Sequence, residues 1–158
     1  MSEFPKHYDP KVGEAYAQNL WESVKLGTPE VNENAQKFYI PIPPPNVTGN
    51  LHIGHALTLS LEDIMIRYHR MKWDNTLWVP GTDHAGIATQ AQVEKRLEKS
   101  GTSRKNIWRE AFLEECFKWI KEYGGNIQQQ IKTMWASVDW ERERFTFDEQ
   151  SNKLVEKI

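Results

Sequence analysis

The chain has 158 residues, 39% hydrophobic and 27% charged, enough for one domain with a core and too short for several. Lys and Arg number 20 against 22 Asp and Glu, a formal net charge of −2, which excludes the broad basic field of a non-specific nucleic-acid binder. The single cysteine, Cys116, excludes an internal disulfide and a cysteine-rich zinc site, and it fits a reducing cytoplasm. Met1 to Pro10 are polar and lack the apolar run of a secretory leader. No stretch approaches the roughly 18 apolar residues of a membrane span. The seven Trp are scattered among polar residues and are expected mostly in the core or at domain contacts.

From Lys11 to about Lys25, the residues Val12, Ala15, Leu20 and Trp21 form a loosely amphipathic pattern that stops at Gly27-Thr28-Pro29. An opening helix and linker are predicted over residues 1–36. Phe38-Tyr39-Ile40-Pro41-Ile42 predicts a buried strand, halted by Pro43-Pro44-Pro45. Ile53, Leu57, Leu61, Ile64, Tyr68 and Met71 recur in steps of three and four, predicting a helix that lays this stripe on a sheet. Thr76-Leu77-Trp78-Val79 predicts a second strand, ended by Pro80-Gly81. Strand, helix and strand within about forty residues are the size of a βαβ unit with a parallel crossover. Helices are predicted next over Ala88–Lys99 and Ile107–Tyr123. The second has a stripe of Trp108, Phe112, Cys116, Trp119 and Tyr123 and a stop at Gly124-Gly125, and a further helix is predicted around Ile127, Ile131 and Met134. The fold class is α/β.

Two clusters stand where a βαβ unit places ligands, at the carboxyl ends of its parallel strands. The first runs from Pro44 through Asn46, Thr48, His52 and Gly54 to His55. His52 and His55 share one face of a helix start, where unpaired backbone N–H groups and the positive dipole end attract phosphate and two imidazoles add donors. Gly54 removes a side chain between them and lets a flat group such as a purine approach the backbone. Taken alone, His-x-x-His also suits a metal pair, or two exposed helix-start residues with Gly54 serving packing. The second cluster is Pro80-Gly81-Thr82-Asp83-His84-Ala85-Gly86-Ile87-Ala88-Thr89-Gln90. Asp83 there could hold an ammonium group opposite the first loop, and it also suits a helix N-cap.

These residues carry a family resemblance. His52-Ile53-Gly54-His55 is the HIGH motif of class I aminoacyl-tRNA synthetases, and its surroundings resemble the valyl-tRNA synthetases in particular. That family precedes the motif with Pro-Pro-Pro-Asn-Val-Thr-Gly, here Pro43 to Gly49, follows it with Ala56-Leu57, and has Pro80 to Gln90 as its second cluster. Isoleucyl enzymes typically have Pro-Tyr-Ala-Asn-Gly and Gly-Trp-Asp at the two places, and leucyl enzymes Tyr-Pro-Ser-Gly before the motif. The resemblance extends to Tyr8-Asp9-Pro10, to Ser137-Val138-Asp139-Trp140 and to Arg142-Glu143-Arg144-Phe145-Thr146, and so covers nearly the whole chain. Trp73 departs from it, because the family usually has Gly there.

The resemblance implies a Rossmann-like parallel-sheet catalytic domain of the HIGH-motif nucleotidyl transferase type, with residues 37–158 as its incomplete amino-terminal half. It implies an enzyme that activates valine with ATP, Mg2+ accompanying the nucleotide as substrate, and passes the aminoacyl group to tRNA(Val). His52 and His55 are the implied catalytic donors. Asn46, Thr48, His52, Gly54 and His55 would bind ATP, and Pro44, Pro45, Asn46 and Asp83 the amino acid, with Asp83 on its ammonium. No metal site within the chain and no membrane partner are expected. Family members are several times longer, so the rest of the nucleotide fold with its Lys-Met-Ser-Lys-Ser loop, the editing domain and the anticodon-binding helices are expected elsewhere. The isolated chain is then expected to be inactive and to self-associate through an open sheet edge, the parent being a monomer. The alternative reading is a non-catalytic nucleotide-binding or interaction module.

Overall fold

The computed structural model describes residues 7–29 and 31–157, so the polar residues 1–6, read above as lacking a leader's apolar run, lie outside the described residues. Strand β1 (Lys37–Pro41) pairs in parallel with β2 (Asn75–Val79), Lys37 beside Asn75 through to Pro41 beside Val79. Helix α2 (Ile53–Met71) connects them and packs on both, giving the expected βαβ unit. Around it lie α1 (Pro10–Ser23), β3 (Gly81–Thr82), α3 (Gly86–Lys99), α4 (Arg109–Thr133), β4 (Arg144–Phe145) and α5 (Glu149–Val155). The short strands β3 and β4 form a second parallel pair immediately beyond β2. Among the described residues no helix is long and apolar enough to cross a membrane.

The main core gathers Ile42, Val47, Leu59, Ile66, Trp78, Ile127, Ile131 and Val138. Trp78 is fully buried in β2, and its indole N–H donates to Glu62 Oε2 at 3.0 Å, which satisfies a buried donor. A second cluster, Val93, Leu97, Phe112, Cys116 and Trp119, joins α3 to α4. Of the remaining tryptophans, Trp73 and Trp108 are exposed, while Trp21, Trp135 and Trp140 are half-buried.

The structure corrects the expected orientation of α2. The stripe expected on the sheet, Ile53, Leu57, Leu61, Ile64, Tyr68 and Met71, is exposed throughout, from 53% at Leu61 to 85% at Ile53. The buried side is Leu59, Glu62 and Ile66. This helix has helically spaced apolar residues on two faces, and periodicity does not distinguish them; the sheet takes the face carrying Leu59 and Ile66.

The stop expected at Gly124-Gly125 is also corrected. Helix α4 runs unbroken for 25 residues through both glycines. Glycine costs about 1 kcal/mol relative to alanine inside a helix. Here Phe112, Cys116 and Trp119 bury in one cluster before the glycines and Ile127 and Ile131 in the other after them, so packing on both sides outweighs that cost. Trp108, expected in one stripe of a helix starting at Ile107, instead precedes the helix and is exposed.

The segment after α4 is tied to the βαβ unit by buried polar groups. Fully buried Asp139 accepts from Thr28 Oγ1 at 3.1 Å and pairs with Arg142, while its N–H donates to the Trp78 carbonyl at 2.9 Å. Ser137 donates to Asp63 at 2.6 Å and receives Arg70 at 2.7 Å. Gly27 is buried against this segment, where a side chain is excluded because any Cβ would overlap the Val138 carbonyl. These contacts hold β4 beside β3, where the second cluster emerges.

Candidate active site

His52 is the N-cap of α2 and His55 the third residue of its first turn. The two side chains form a reciprocal cap: His52 Nδ1 accepts from Gly54 N–H at 3.1 Å, and His55 Nδ1 accepts from His52 N–H at 3.1 Å. An Nδ1 that accepts a hydrogen bond is bare, so each neutral ring carries its proton on Nε2. Both rings therefore present an N–H donor away from the backbone, with centroids 4.0 Å apart. Burial first, and the neighbouring His52 second, hold the His55 imidazole below its ordinary range, which keeps it neutral. A Cβ on Gly54 would stand 2.9 Å from His52 Cε1, so this glycine makes room for the capping ring itself.

Pro43, Pro45, Leu51, His52, Gly54, His55 and Thr58 line a cavity of about 360 Å³ floored by Ile42, Leu59 and Ile131. Gln130 of α4 accepts from Leu51 N–H at 2.9 Å, and Trp119 donates to the Val47 carbonyl at 2.8 Å. The loop between β1 and α2 is thus pinned from α4. Among the expected residues, Pro44 and Asn46 are exposed and Thr48 half-buried, and none of the three lines this cavity.

Asp83 stands at the end of β3, in the loop that enters α3. Its Oδ1 accepts from Ala85 N–H at 3.0 Å and from Thr146 Oγ1 at 2.8 Å, and no hydrogen bond engages Oδ2 among the described residues. Burial pushes this carboxyl upward, but those two donors, with His84 nearby, outweigh it and hold it below the ordinary carboxylate range. Asp83 is therefore ionised at neutral pH. It does not cap α3 directly: the N-cap is Ala85, in the left-handed region at φ 43°, with no side-chain cap.

Backbone pairing joins the two loops at one end of the sheet. Asn46 bridges Asp83, with Val47 N–H donating to the Asp83 carbonyl at 2.9 Å and Asp83 N–H to the Pro45 carbonyl at 2.8 Å. Asp83 is thus brought against Pro45, Asn46 and Val47 but does not line the histidine cavity. Sequence reasoning gave Thr146 no role. It lies 63 residues from Asp83 and no local pattern connects them; only the β3–β4 pairing does.

Comparison with known proteins follows the same lines. The family model of tRNA synthetases class I (I, L, M and V) matches residues 16–158, and the chain belongs to that family. It is 48% identical over 157 residues to the valine–tRNA ligase of Treponema denticola, covering 99% of this chain and 17% of that protein. It is 47% identical to the valine–tRNA ligase of Fusobacterium nucleatum, over 100% of this chain and 18% of that one. To a chloroplastic/mitochondrial valine–tRNA ligase of Arabidopsis thaliana it is 53% identical, over 85% of this chain and 14% of that protein. The chain thus spans less than a fifth of the length of these relatives. Among solved structures, the LeuRS in a ternary LeuRS-tRNA-LeuAMS complex of Agrobacterium radiobacter K84 superposes with a TM-score of 0.75 at 20% identity, covering 96% of this chain and 18% of that chain. At that identity the likeness establishes the fold alone, an α/β arrangement of Rossmann type with parallel strands.

Proposed function

We propose that this chain is the HIGH-motif part of a valine–tRNA ligase. In the complete protein it takes part in ATP-dependent activation of valine to valyl-adenylate and in transfer of the valyl group to tRNA(Val). The observation that carries the reading is the bridge from Asn46 to Asp83, which joins a donor-bearing helix start to an ionised acceptor loop at one sheet end. Attack of a carboxylate on the α-phosphorus of ATP builds negative charge on phosphoryl oxygens, and fixed donors aimed there lower the barrier. His52 and His55 supply such donors at Nε2. Gly54 leaves the helix start bare for adenine, with Asn46 and Thr48 flanking the adenylate. The free Oδ2 of Asp83 takes the amino-acid ammonium, and the rigid Pro44 and Pro45 border its small apolar side chain. Among the described residues no group of three or more His, Cys, Asp or Glu could hold a metal ion. Mg2+ enters with the nucleotide as part of the substrate, and no residue of this chain is assigned to it.

The likeness to valine–tRNA ligases supports valine as the amino acid. The test is ATP–pyrophosphate exchange by a full-length synthetase containing this chain: exchange should depend on valine, and a rate indifferent to valine would sink the reading. Purified alone, the 158-residue chain is expected to bind ATP or valyl-adenylate no better than about millimolar, about 4 kcal/mol, and to show no robust exchange.

A further inference from the structure

The hydroxyl of Thr146 meets three polar partners. His84 N–H donates to Thr146 Oγ1 at 2.9 Å, Asp83 Oδ1 lies at 2.8 Å and His84 Nδ1 at 2.6 Å. A hydroxyl carries one proton and two lone pairs. The backbone N–H of His84 uses one lone pair. An ionised carboxylate only accepts, and two oxygens 2.8 Å apart with no proton between them would repel, so the hydroxyl donates its hydrogen bond to Asp83. The remaining lone pair faces His84 Nδ1, which must then be the donor. We infer that Thr146 is a positioning residue of the Asp83 site: it orients the carboxylate and forces neutral His84 into the Nδ1–H form, leaving Nε2 as a bare hydrogen-bond acceptor.

The packing supports this assignment. Thr146 N–H donates to the Thr82 carbonyl at 3.1 Å, continuing the β3–β4 pairing and setting the hydroxyl beside Asp83. The His84 ring stands near Phe145, edge-on at 6.3 Å, and Phe147 at 5.1 Å, and Thr89 Oγ1 holds the His84 carbonyl at 2.7 Å. About one third of the His84 side chain is exposed, at 35%. With Oδ2 of Asp83 also free, the loop presents acceptors to whatever approaches. It therefore suits a group with several N–H donors, a primary ammonium rather than a phosphate or a carboxylate. The inference rests on the reading that Asp83 receives the substrate ammonium, and it adds the residue that prepares Asp83 for it.

Two-bond nitrogen–proton NMR of the isotope-labelled 158-residue chain reads the tautomer directly. Above the titration of the ring, His84 should show a protonated Nδ1 and a bare Nε2, the reverse of His52 and His55. Thr146→Val should shift His84 toward the Nε2–H form and raise the titration midpoint of the Asp83 carboxyl, and Thr146→Ser should restore both. A wild-type His84 protonated on Nε2, or a tautomer unmoved in T146V, overturns the inference; if T146V does not fold, the wild-type and T146S spectra decide. In a full-length synthetase, T146V should raise the valine KM about five- to tenfold with kcat and the ATP KM near wild type. An unchanged valine KM alongside the altered tautomer would overturn the amino-acid-site reading while leaving the proton arrangement standing.

Discussion

At the start of α2 two histidine rings each accept a backbone N–H at Nδ1, whereas in the loop before α3 His84 meets a hydroxyl oxygen at the same atom. The first arrangement makes each ring a donor at Nε2, and the second makes the ring an acceptor there. Residue type is identical in the two regions, so it does not decide what the ring offers a ligand. The decision lies with the partner of the other nitrogen: a helix start supplies N–H groups in excess, while a threonine hydroxyl that donates its one hydrogen bond to an ionised carboxylate can only accept from the ring. One loop is thereby suited to an anion and the other to a cation, and backbone pairing between Asn46 and Asp83 places them side by side.

The largest effect should come from the donor side. In a full-length synthetase His55→Ala is expected to slow adenylate formation about 10²–10³-fold while changing the ATP KM little, because a donor aimed at transition-state charge contributes little to the ground state. Equal losses in pre-steady-state rate and ATP binding would reduce His55 to a binding residue. On the acceptor side, Asp83→Asn should raise the valine KM about 10- to 100-fold and spare the ATP KM. A rise confined to ATP would dissolve the distinction between the two loops.

Gly54→Ala sharpens the comparison from the backbone. The new Cβ displaces the His52 ring, so the reciprocal cap is lost at about 1 kcal/mol of stability, visible as a lower urea midpoint. An unshifted midpoint would show that the ring reorients without cost. Trp73→Gly acts at the other end of α2, remote from both loops. Trp73 sits at φ 63° in the closing turn of that helix, where its N–H donates to the Arg70 carbonyl and Asp74 N–H to the His69 carbonyl. A side chain is disfavoured there, and glycine should raise stability by about 1 kcal/mol. No gain in the melting temperature would mean that the exposed indole stabilises the chain in another way.

The smallest effect separates the two regions by pH. His55 is held below its ordinary 6.5, so between the folded and unfolded values the folded chain binds fewer protons than the unfolded one. Its contribution is present above 6.5 and is lost as pH falls through that window. Asp83 is held below its ordinary 3.8, so its contribution stays complete above that value and is lost only as pH falls through the folded one. Urea melts across this range should show two separate acid steps, the first diminished in His55→Ala and the second diminished but not abolished in Asp83→Asn, because Asp74 and Asp148 are also held below 3.8. A single shared step would show that the loops titrate as one unit.

Much of this was legible in the sequence. The run from Phe38 to Ile42 and the run from Thr76 to Val79 marked the strands, because apolar β-branched and aromatic residues bounded by proline and glycine leave few alternatives. The placing of the two clusters at strand ends followed from the βαβ pattern alone. The covered face of α2 was not legible, since the stripe from Ile53 to Met71 and the side bearing Leu59 and Ile66 have the same helical spacing. Nor was the continuity of α4, since Gly124-Gly125 signals a stop locally and only the burial of Trp119 on one side and Ile127 on the other overrides it.

What the sequence determined by itself is therefore local: the two paired strands β1 and β2, the helices α1, α2 and α3, and the motifs that tie the chain to its family. Tertiary structure decided which face was buried, which loops met and which partner the His84 ring finds at Nδ1. The reason is physical. Propensity, capping and turn chemistry act over a few residues, whereas Thr146 reaches Asp83 across 63 residues and Gln130 reaches Leu51 across 79, through pairings that no local pattern encodes.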